Sequence, residues 1–466
     1  MIFYCAHKRN GWFTQYALIC HSVYILTENR PFEKPFLKDF CFLRGIFVLE
    51  GKTLKKYLLL AALLLALALP AQAHTRDEVR AAYAALGDSP DASPYLSEPA
   101  VAAPYAEGEL TDAAREDALG LLNFARWLAG LDAARLLPLY NFRCQHGAVL
   151  LAALDYVDHD APRPADMDAD FYDSAHTATA ASNIAKLNWM RPGILREGVA
   201  YFLRDDGEEN LPTLGHRRWA LTPEMACTGF GLANAASGNT YVVMYAHDLG
   251  AEADWENVLW PAAGAFPAEL MHDHLAWSIM LNPTKYDLAA SRPRVTLSER
   301  GGLSFAFDPA LGAGDGFCAM NREGYGTGPC LIFRPDFTGA DFTDYEQNQV
   351  WTVRVDGLVD SGDADAPLEY EVDMISLTAQ DVVNVEISQL EASLAPGEAI
   401  DLTADVIPAY ADDLSLAWRS TDAAVAAVDA HGHVTAVGPG TCEIIVESAG
   451  NYTDACALTV IDKAGE

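Results

Sequence analysis

The side chains best suited to chemistry in this sequence are histidines and cysteines in a few defined settings. Met271-His272-Asp273-His274 places two imidazoles two residues apart. On a β-strand they would share a face, the beginning of a metal site. A zinc site needs at least three protein ligands, so a solvated loop is the plainer expectation. Gly215-His216-Arg217-Arg218-Trp219 sets an imidazole beside two guanidinium groups. Its plain reading is internal: His216 hydrogen-bonds to hold the loop before Trp219, and the arginines pair with nearby acids such as Asp206. Six cysteines follow residue 73: Cys144, Cys227, Cys318, Cys330, Cys442 and Cys456. An even count in an exported chain permits disulfides, and order alone suggests Cys144–Cys227, Cys318–Cys330 and Cys442–Cys456 among the possible pairings. Free buried thiols are the alternative. Asn451-Tyr452-Thr453 fits a glycosylation sequon. Beyond residue 73 there is no phosphate-binding loop, dinucleotide fingerprint, H-E-x-x-H or G-x-S-x-G.

Export is read from residues 54–73. Lys55 and Lys56 precede an unbroken apolar run, Tyr57 to Leu69; Pro70 ends it, and Ala71-Gln72-Ala73 offers small residues for cleavage. The run is too short for a comfortable membrane span, so no anchor is expected after cleavage. The preceding residues 1–53 differ in composition from everything downstream. They read as an extension outside the translated protein, with the true start near Val48 or Leu54.

The 466 residues carry 31 Lys and Arg against 65 Asp and Glu, a net charge of −34. Residues 1–56 hold nine basic and four acidic side chains, so the remainder is more acidic still, at −39. A polyanion is repelled by nucleic acid and by anionic membrane surfaces, which excludes both as partners. At 51% hydrophobic and 10% aromatic, the chain is expected to build packed cores.

These residues must be positioned by several domains. Residues 74–107 carry Pro90, Pro94, Pro99 and Pro104 and read as an extended linker, with one short helix around Arg76 to Leu86. From the N-cap Thr111, Leu121, Phe124, Leu128 and Leu131 recur at helical spacing up to Gly130 and Pro138. Further helices are expected over Cys144 to Val157 and Ile194 to Leu203, and a strand over Tyr241 to Tyr245. That makes an α+β domain over 108–252. Residues 253–378 read as a β-rich middle domain, with strands at 294–297, 303–307, 350–355 and 368–374. Residues 382–462 carry short, closely spaced strands punctuated by Gly397, Gly432, Gly438 and Gly440, the pattern of an immunoglobulin-like β-sandwich. Trp418 is expected in its core, and Asp422 and Asp429 in its turns.

Two resemblances follow. The last unit resembles a bacterial immunoglobulin-like domain of group 2, through Leu394-Ala395-Pro396-Gly397-Glu398, Trp418-Arg419-Ser420-Thr421-Asp422, Val425-Ala426-Ala427-Val428-Asp429 and Gly432-His433-Val434-Thr435-Ala436-Val437. This implies a spacer or adhesion module. Residues from about 110 to 250 resemble the CAP superfamily (cysteine-rich secretory, antigen 5 and pathogenesis-related proteins, or SCP-like). The carrying residues are Asn123-Phe124-Ala125-Arg126, Asp158-His159, Ser182-Asn183-Ile184-Ala185, Asp206-Gly207-Glu208-Glu209-Asn210, Gly215-His216-Arg217-Arg218-Trp219 and Gly229-Phe230-Gly231. The resemblance implies an α-β-α sandwich whose cleft holds His159 and His216 as ligand-binding or metal residues, with zinc the natural ion. Asp205 or Asp206 takes the other acidic place, and the family's glutamate falls at Ser182, whose hydroxyl cannot serve as a charged ligand or base.

The expectation is therefore a secreted, monomeric, multi-domain bacterial protein with a CAP-like α+β domain, a β-rich domain and an immunoglobulin-like sandwich. Its expected partner is an extracellular ligand (small molecule, lipid or peptide) or a cell-surface component. The alternatives are a metal-assisted hydrolase of peptide or cell-wall material acting through His159 and His216, and a purely adhesive surface protein.

Overall fold

The computed structural model describes residues 73–461 except 189, together with residues 3–9 and 12–18. The expected leader up to residue 72 lies outside the described residues, as does most of 1–53. Strands β1 (Phe3–Arg9) and β2 (Trp12–Leu18) pair as an antiparallel hairpin within a unit of their own. Among the described residues no helix is long and apolar enough to cross a membrane.

Helix α1 (Arg76–Ala84) opens with a capping box. The Thr75 hydroxyl accepts the Glu78 N–H at 3.3 Å, and the Glu78 carboxylate accepts the Thr75 N–H at 2.9 Å. The expected linker is in fact pinned to the body. The His74 ring stacks on Trp127 at 3.6 Å, and its carbonyl accepts the Ala265 N–H at 2.9 Å. Arg76 grips Asp373 with two hydrogen bonds of 2.7 Å, and Val79 is fully buried. The prolines break helices, but the amphipathic stretch between them still finds a core.

Next come α2 (Asp112–Leu128), capped by Thr111, then α3 (Pro138–Leu154), α4 (Ala169–Ala180), β3 (Ser182–Asn188), α5 (Ile194–Arg204), α6 (Gly215–Ala220), β4 (Phe230–Asn234) and β5 (Asn239–Tyr245). Helix α3 begins at Pro138, earlier than its apolar pattern indicates, because proline at the first helical position surrenders no needed N–H. The strands form an antiparallel sheet in the order β3-β5-β4. Alternation divides its side chains between two cores. Ala185, Leu187, Phe230, Leu232, Val242 and Met244 face α2 and α5, while Ile184, Ala233, Tyr241 and Val243 face α3 and α4. Gly231 lets β4 lie against α3, since a Cβ there would collide with the Cys144 carbonyl.

The next region holds two sheets. One orders β6 (Asn257–Trp260), β8 (Trp277–Leu281), β13 (Cys330–Pro335) and β12 (Gly316–Asn321), all antiparallel. The other orders β7 (Gly264–Pro267), β15 (Leu368–Ile375), β14 (Val350–Asp356), β9 (Arg294–Glu299), β10 (Ser304–Asp308) and β11 (Ala313–Gly314), with β7–β15 parallel. This region was expected to be a separate domain. Instead Trp260, Trp277, Phe333 and Trp351 belong to the same continuous core as Leu122, Phe202 and Met244.

Residues 384–460 form the immunoglobulin-like unit: β16 (Asn384–Ile387), β17 (Glu391–Leu394), β18 (Ala399–Asp401), β19 (Ala404–Ile407), β20 (Leu416–Ser420), β21 (Ala426–Val428), β22 (His433–Ala436), β23 (Gly440–Ser448) and β24 (Thr453–Val460). Its sheets run β17-β24-β23-β20 and β18-β22-β21, with β16-β19 as a separate pair. Val434, Ile444, Val446, Cys456 and Leu458 fill its core, and Trp418 packs at the core's edge, only partly buried. Asp422 and Asp429 accept backbone N–H groups within turns, as expected.

The unit is docked on the body through Asp412. This carboxylate accepts Arg80 Nη2 and Gln347 Nε2, each at 2.6 Å, and the Gln380 N–H at 3.0 Å. Beside it, Asn348 donates to the Ala411 carbonyl at 2.9 Å.

Candidate functional site

The Gly215–Trp219 segment becomes the short helix α6, placed against the C-terminal end of α5. Asp205, the C-cap of α5, sits in the left-handed region at φ 48°, which Asp tolerates better than most residues. That backbone turns its carboxylate onto the start of α6. The Asp205 side chain has no exposed surface. It accepts His216 Nδ1–H at 2.9 Å, the His216 N–H at 3.0 Å and the Arg217 N–H at 3.3 Å. The nearby Asn210 amide nitrogen, at 3.4 Å from Nδ1, is also a donor, so the shorter carboxylate contact sets the tautomer. Nε2 is then the unprotonated nitrogen of neutral His216, whose side chain is 18% exposed. The Phe202 ring lies 5.4 Å from the imidazole. Asn183 on β3 donates to the His216 carbonyl at 2.8 Å.

The other expected site residues are placed differently. Ser182, next to Asn183 on the strand, points to the opposite face, where its hydroxyl lies 3.8 Å from the Cys144 thiol. Burial pushes that thiol up to about 12. Asp206 is exposed and lies 4.0 Å from Arg204, not against His216. His159 is exposed and bonds through Nδ1 to the Thr179 carbonyl at 2.7 Å. His247, which the sequence reading passed over, is electrostatically coupled to His159. Burial first, and then His159, hold its imidazole below the ordinary histidine range. Its ring packs on Trp219 at 4.1 Å, one turn of α6 beyond His216. Of the two acids open for this place, Asp205 is the one on the imidazole; for His247 the chain carries no signal.

Arg217 and Arg218 are buried, and carbonyls and an amide oxygen hold them rather than acids such as Asp206. Arg217 donates to the carbonyls of Leu203, Ala276 and Arg204 at 2.6, 2.6 and 2.7 Å. Arg218 reaches Thr213, Glu323 and Gly328 carbonyls and the Asn321 side chain. Burial lowers Arg217 to about 10. Arg126 likewise binds the carbonyls of Asp132, Ala220, Thr222 and Met225. Through Arg217 and Arg218, the histidine-bearing helix is fastened to the β-rich region.

Zinc does not fit what is assembled. Among the described residues no group of three His, Cys, Asp or Glu side chains converges to hold a metal. His159 and His216 each commit Nδ1 to a protein oxygen and gain no third ligand. His272 and His274 lie in a turn rather than on a strand. Their rings stack at 5.8 Å, and each bonds its own carboxylate: His272 to Asp344 at 3.0 Å, His274 to Asp273 at 3.1 Å.

Among the described residues the expected disulfides are absent. Cys144, Cys227, Cys330, Cys442 and Cys456 are thiols. Register explains two pairs. Cys442 faces Leu458 and Cys456 faces Ile444, so the two sulfurs are diagonal neighbours, beyond comfortable bridging distance. Cys318 faces Phe333 while Cys330 faces Asn321, an odd offset that puts them on opposite faces of the sheet.

Residues 381–458 match the bacterial Ig-like domain (group 2) family. No curated protein matches the chain. Partial structural likeness is found to an intimin mutant of enterohaemorrhagic E. coli (EHEC) O157:H7, at 20% identity and TM-score 0.15, over 16% of this chain and 46% of that one. The N-terminal part of the bacterial S-layer protein SbsC aligns at 12% identity and TM-score 0.17, over 40% of this chain and 41% of that one. The chain therefore spans less than half the length of either.

Proposed function

We propose that this is an extracellular binding protein of adhesive type, whose immunoglobulin-like unit is held at a fixed angle on a rigid body. The carrying observation is the group 2 immunoglobulin-like unit at 381–458, clasped through Asp412. That stretch carries thirteen acidic residues and one basic residue, Arg419, so the partner surface has basic character. The leader motif at 54–73 supports export. The test adds labelled protein beginning at His74 to bacterial cell-wall sacculi and to cultured host cells, beside a form lacking 380–466. Salt-sensitive retention that disappears with the deletion supports the reading. Absence of retention on either surface, or equal retention of the truncated form, sinks it.

A second reading is favoured by the Asp205–His216 pair. An imidazole oriented by a buried carboxylate has the arrangement of a general base. In this reading residues 108–252 are a CAP-like domain whose cleft takes a small ligand, lipid or peptide, or hydrolyses peptide or cell-wall material. Release of soluble fragments from sacculi by the wild type, but not by His216→Ala, would support hydrolysis.

A further inference from the structure

One strand edge of the immunoglobulin-like unit is left open beside the clasp. β19 (Ala404–Ile407) pairs with β16 on one side only. The neighbour on its other side would be β22, but β22 begins at His433, opposite Asp401. Gly432, just before it, accepts the Leu402 N–H, and the pairing stops there. Among the described residues no strand pairs with the outer edge of β19. The connection that leaves β19 carries Asp412, so this edge lies at the end of the unit that meets the body.

An unpaired edge is a template for another strand, and proteins guard such edges with charge. Here the guard has one sign. Alternation puts Glu386 and Asp405 directly opposite each other on the exposed face of the pair, with Val385, Ile387 and Val406 on the buried face. Like charges so placed repel, and among the described residues no cation pairs with either carboxylate. Arg419, the single Lys or Arg between 381 and 458, lies on β20 in the other sheet. Val383 and Tyr410, both exposed, stand before β16 and beyond β19 at the same end of the pair. Such an edge rejects a second copy of itself, which would add two more carboxylates, and admits a basic strand.

We propose that the outer edge of β19 takes an extended, basic segment of a partner protein by strand addition. Backbone hydrogen bonds to 404–407 hold the segment, a Lys or Arg lies beside Asp405, and an apolar residue meets the Tyr410 end. This rests on the adhesive reading, of which it names the surface and the partner's chemistry.

The test is fluorescence anisotropy at physiological salt on protein beginning at His74. The probes are labelled Val-Lys-Val-Lys-Val-Lys-Val, its counterpart with glutamate for lysine, and hexalysine. The alternating basic peptide binds and the glutamate counterpart does not. Hexalysine, which has the charge without the strand-forming residues, binds roughly tenfold more weakly. Asp405→Lys lowers the affinity for the basic peptide roughly tenfold, whereas Glu443→Lys, the same charge change on β23, alters it by less than about twofold. Hydrogen exchange at 404–407 slows when the basic peptide is added to wild-type protein. Absence of binding, equal binding of hexalysine, equal losses in the two variants, or unchanged exchange overturns the proposal. If Asp405→Lys does not fold, the exchange measurement on wild-type protein decides.

Retention on sacculi or host cells separates this proposal from the adhesive reading. Retention that needs 380–466 but is undiminished in Asp405→Lys overturns the edge and leaves the reading standing. Peptide binding at the edge without retention on either surface does the reverse.

Discussion

Arg80 and Asp412, 332 residues apart in the chain, meet at 2.6 Å and join the first helix to the last domain. Their side chains are only 14% and 26% exposed, so solvent screens the pair incompletely. Arg80 also donates to the Ser376 carbonyl at 2.9 Å, across the strand-to-module connection. The orientation of the immunoglobulin-like unit thus depends on the first turns of the described body.

Arg80→Ala is expected to release the unit while leaving both cores folded. The loss should be about 1–3 kcal/mol of docking free energy, the usual range for a hydrogen-bonded charge pair with a partly buried partner. Faster proteolysis within 376–384, together with a non-additive Arg80→Ala/Asp412→Ala double mutant, checks this. Full additivity would show that the pair is not coupled.

Docking should also weaken in acid. Burial pushes the Asp412 carboxyl up, but the hydrogen bonds from Arg80 and the Gln380 N–H, with Arg80's charge and Gln347, outweigh it and leave it below the usual carboxylate range. A depressed folded-state value contributes stability above the ordinary Asp range, and that contribution fades as pH falls through the folded value. Hydrogen exchange at 410–413, followed from neutral pH down, should rise only below the ordinary Asp range in wild type. In Arg80→Ala the rise should begin at higher pH.

Removing the Asp205 carboxylate orphans three donors at once. Asp205→Ala should cost about 2–5 kcal/mol in urea unfolding, well above the cost of His216→Ala, which leaves the Arg217 N–H contact intact. Equal costs would mean that the carboxylate chiefly serves the imidazole rather than the start of the helix.

At Gly231, adding one methyl group should do more harm than most surface changes. Gly231→Ala drives a Cβ into the Cys144 carbonyl, so about 1–3 kcal/mol should be lost as the strand and α3 separate. A melting curve unchanged from wild type would refute that close approach.

Cysteine chemistry gives a direct check. Unfolded in urea without reductant, the peptides bearing Cys442 and Cys456 should be fully alkylated by iodoacetamide, and reductant should leave the melting temperature unchanged. Mass spectra showing a linked peptide would contradict the register.

Much of the architecture was legible because it rests on local signals. Thr111 capped its helix, Ile194 opened another, and the strand at Tyr241 to Tyr245 was found within two residues of its start. The immunoglobulin-like unit was read from its turns. What escaped depended on partners far along the chain. The proline-rich lead packs because Trp127, Asp373 and Asp412 receive it. Helix α4 shows weak amphipathy and forms under the Asp168 cap and against α3. Sequence left the choice between Asp205 and Asp206 open, and only the left-handed turn at the end of α5 separates their roles. Ser182 and Asn183 could be assigned to faces only once the pairing of β3 was known.

The continuity of the core from Leu122 to Trp351 has a consequence for taking this molecule apart. The chain changes from helices to strands near residue 253, yet that point is no seam. Cutting there would divide one core, parting Leu122, Phe202 and Met244 from Trp260, Trp277 and Trp351, and leave Arg217 without the Ala276 carbonyl. The two halves should melt in one cooperative transition, and either one made alone would present an open apolar wound to solvent.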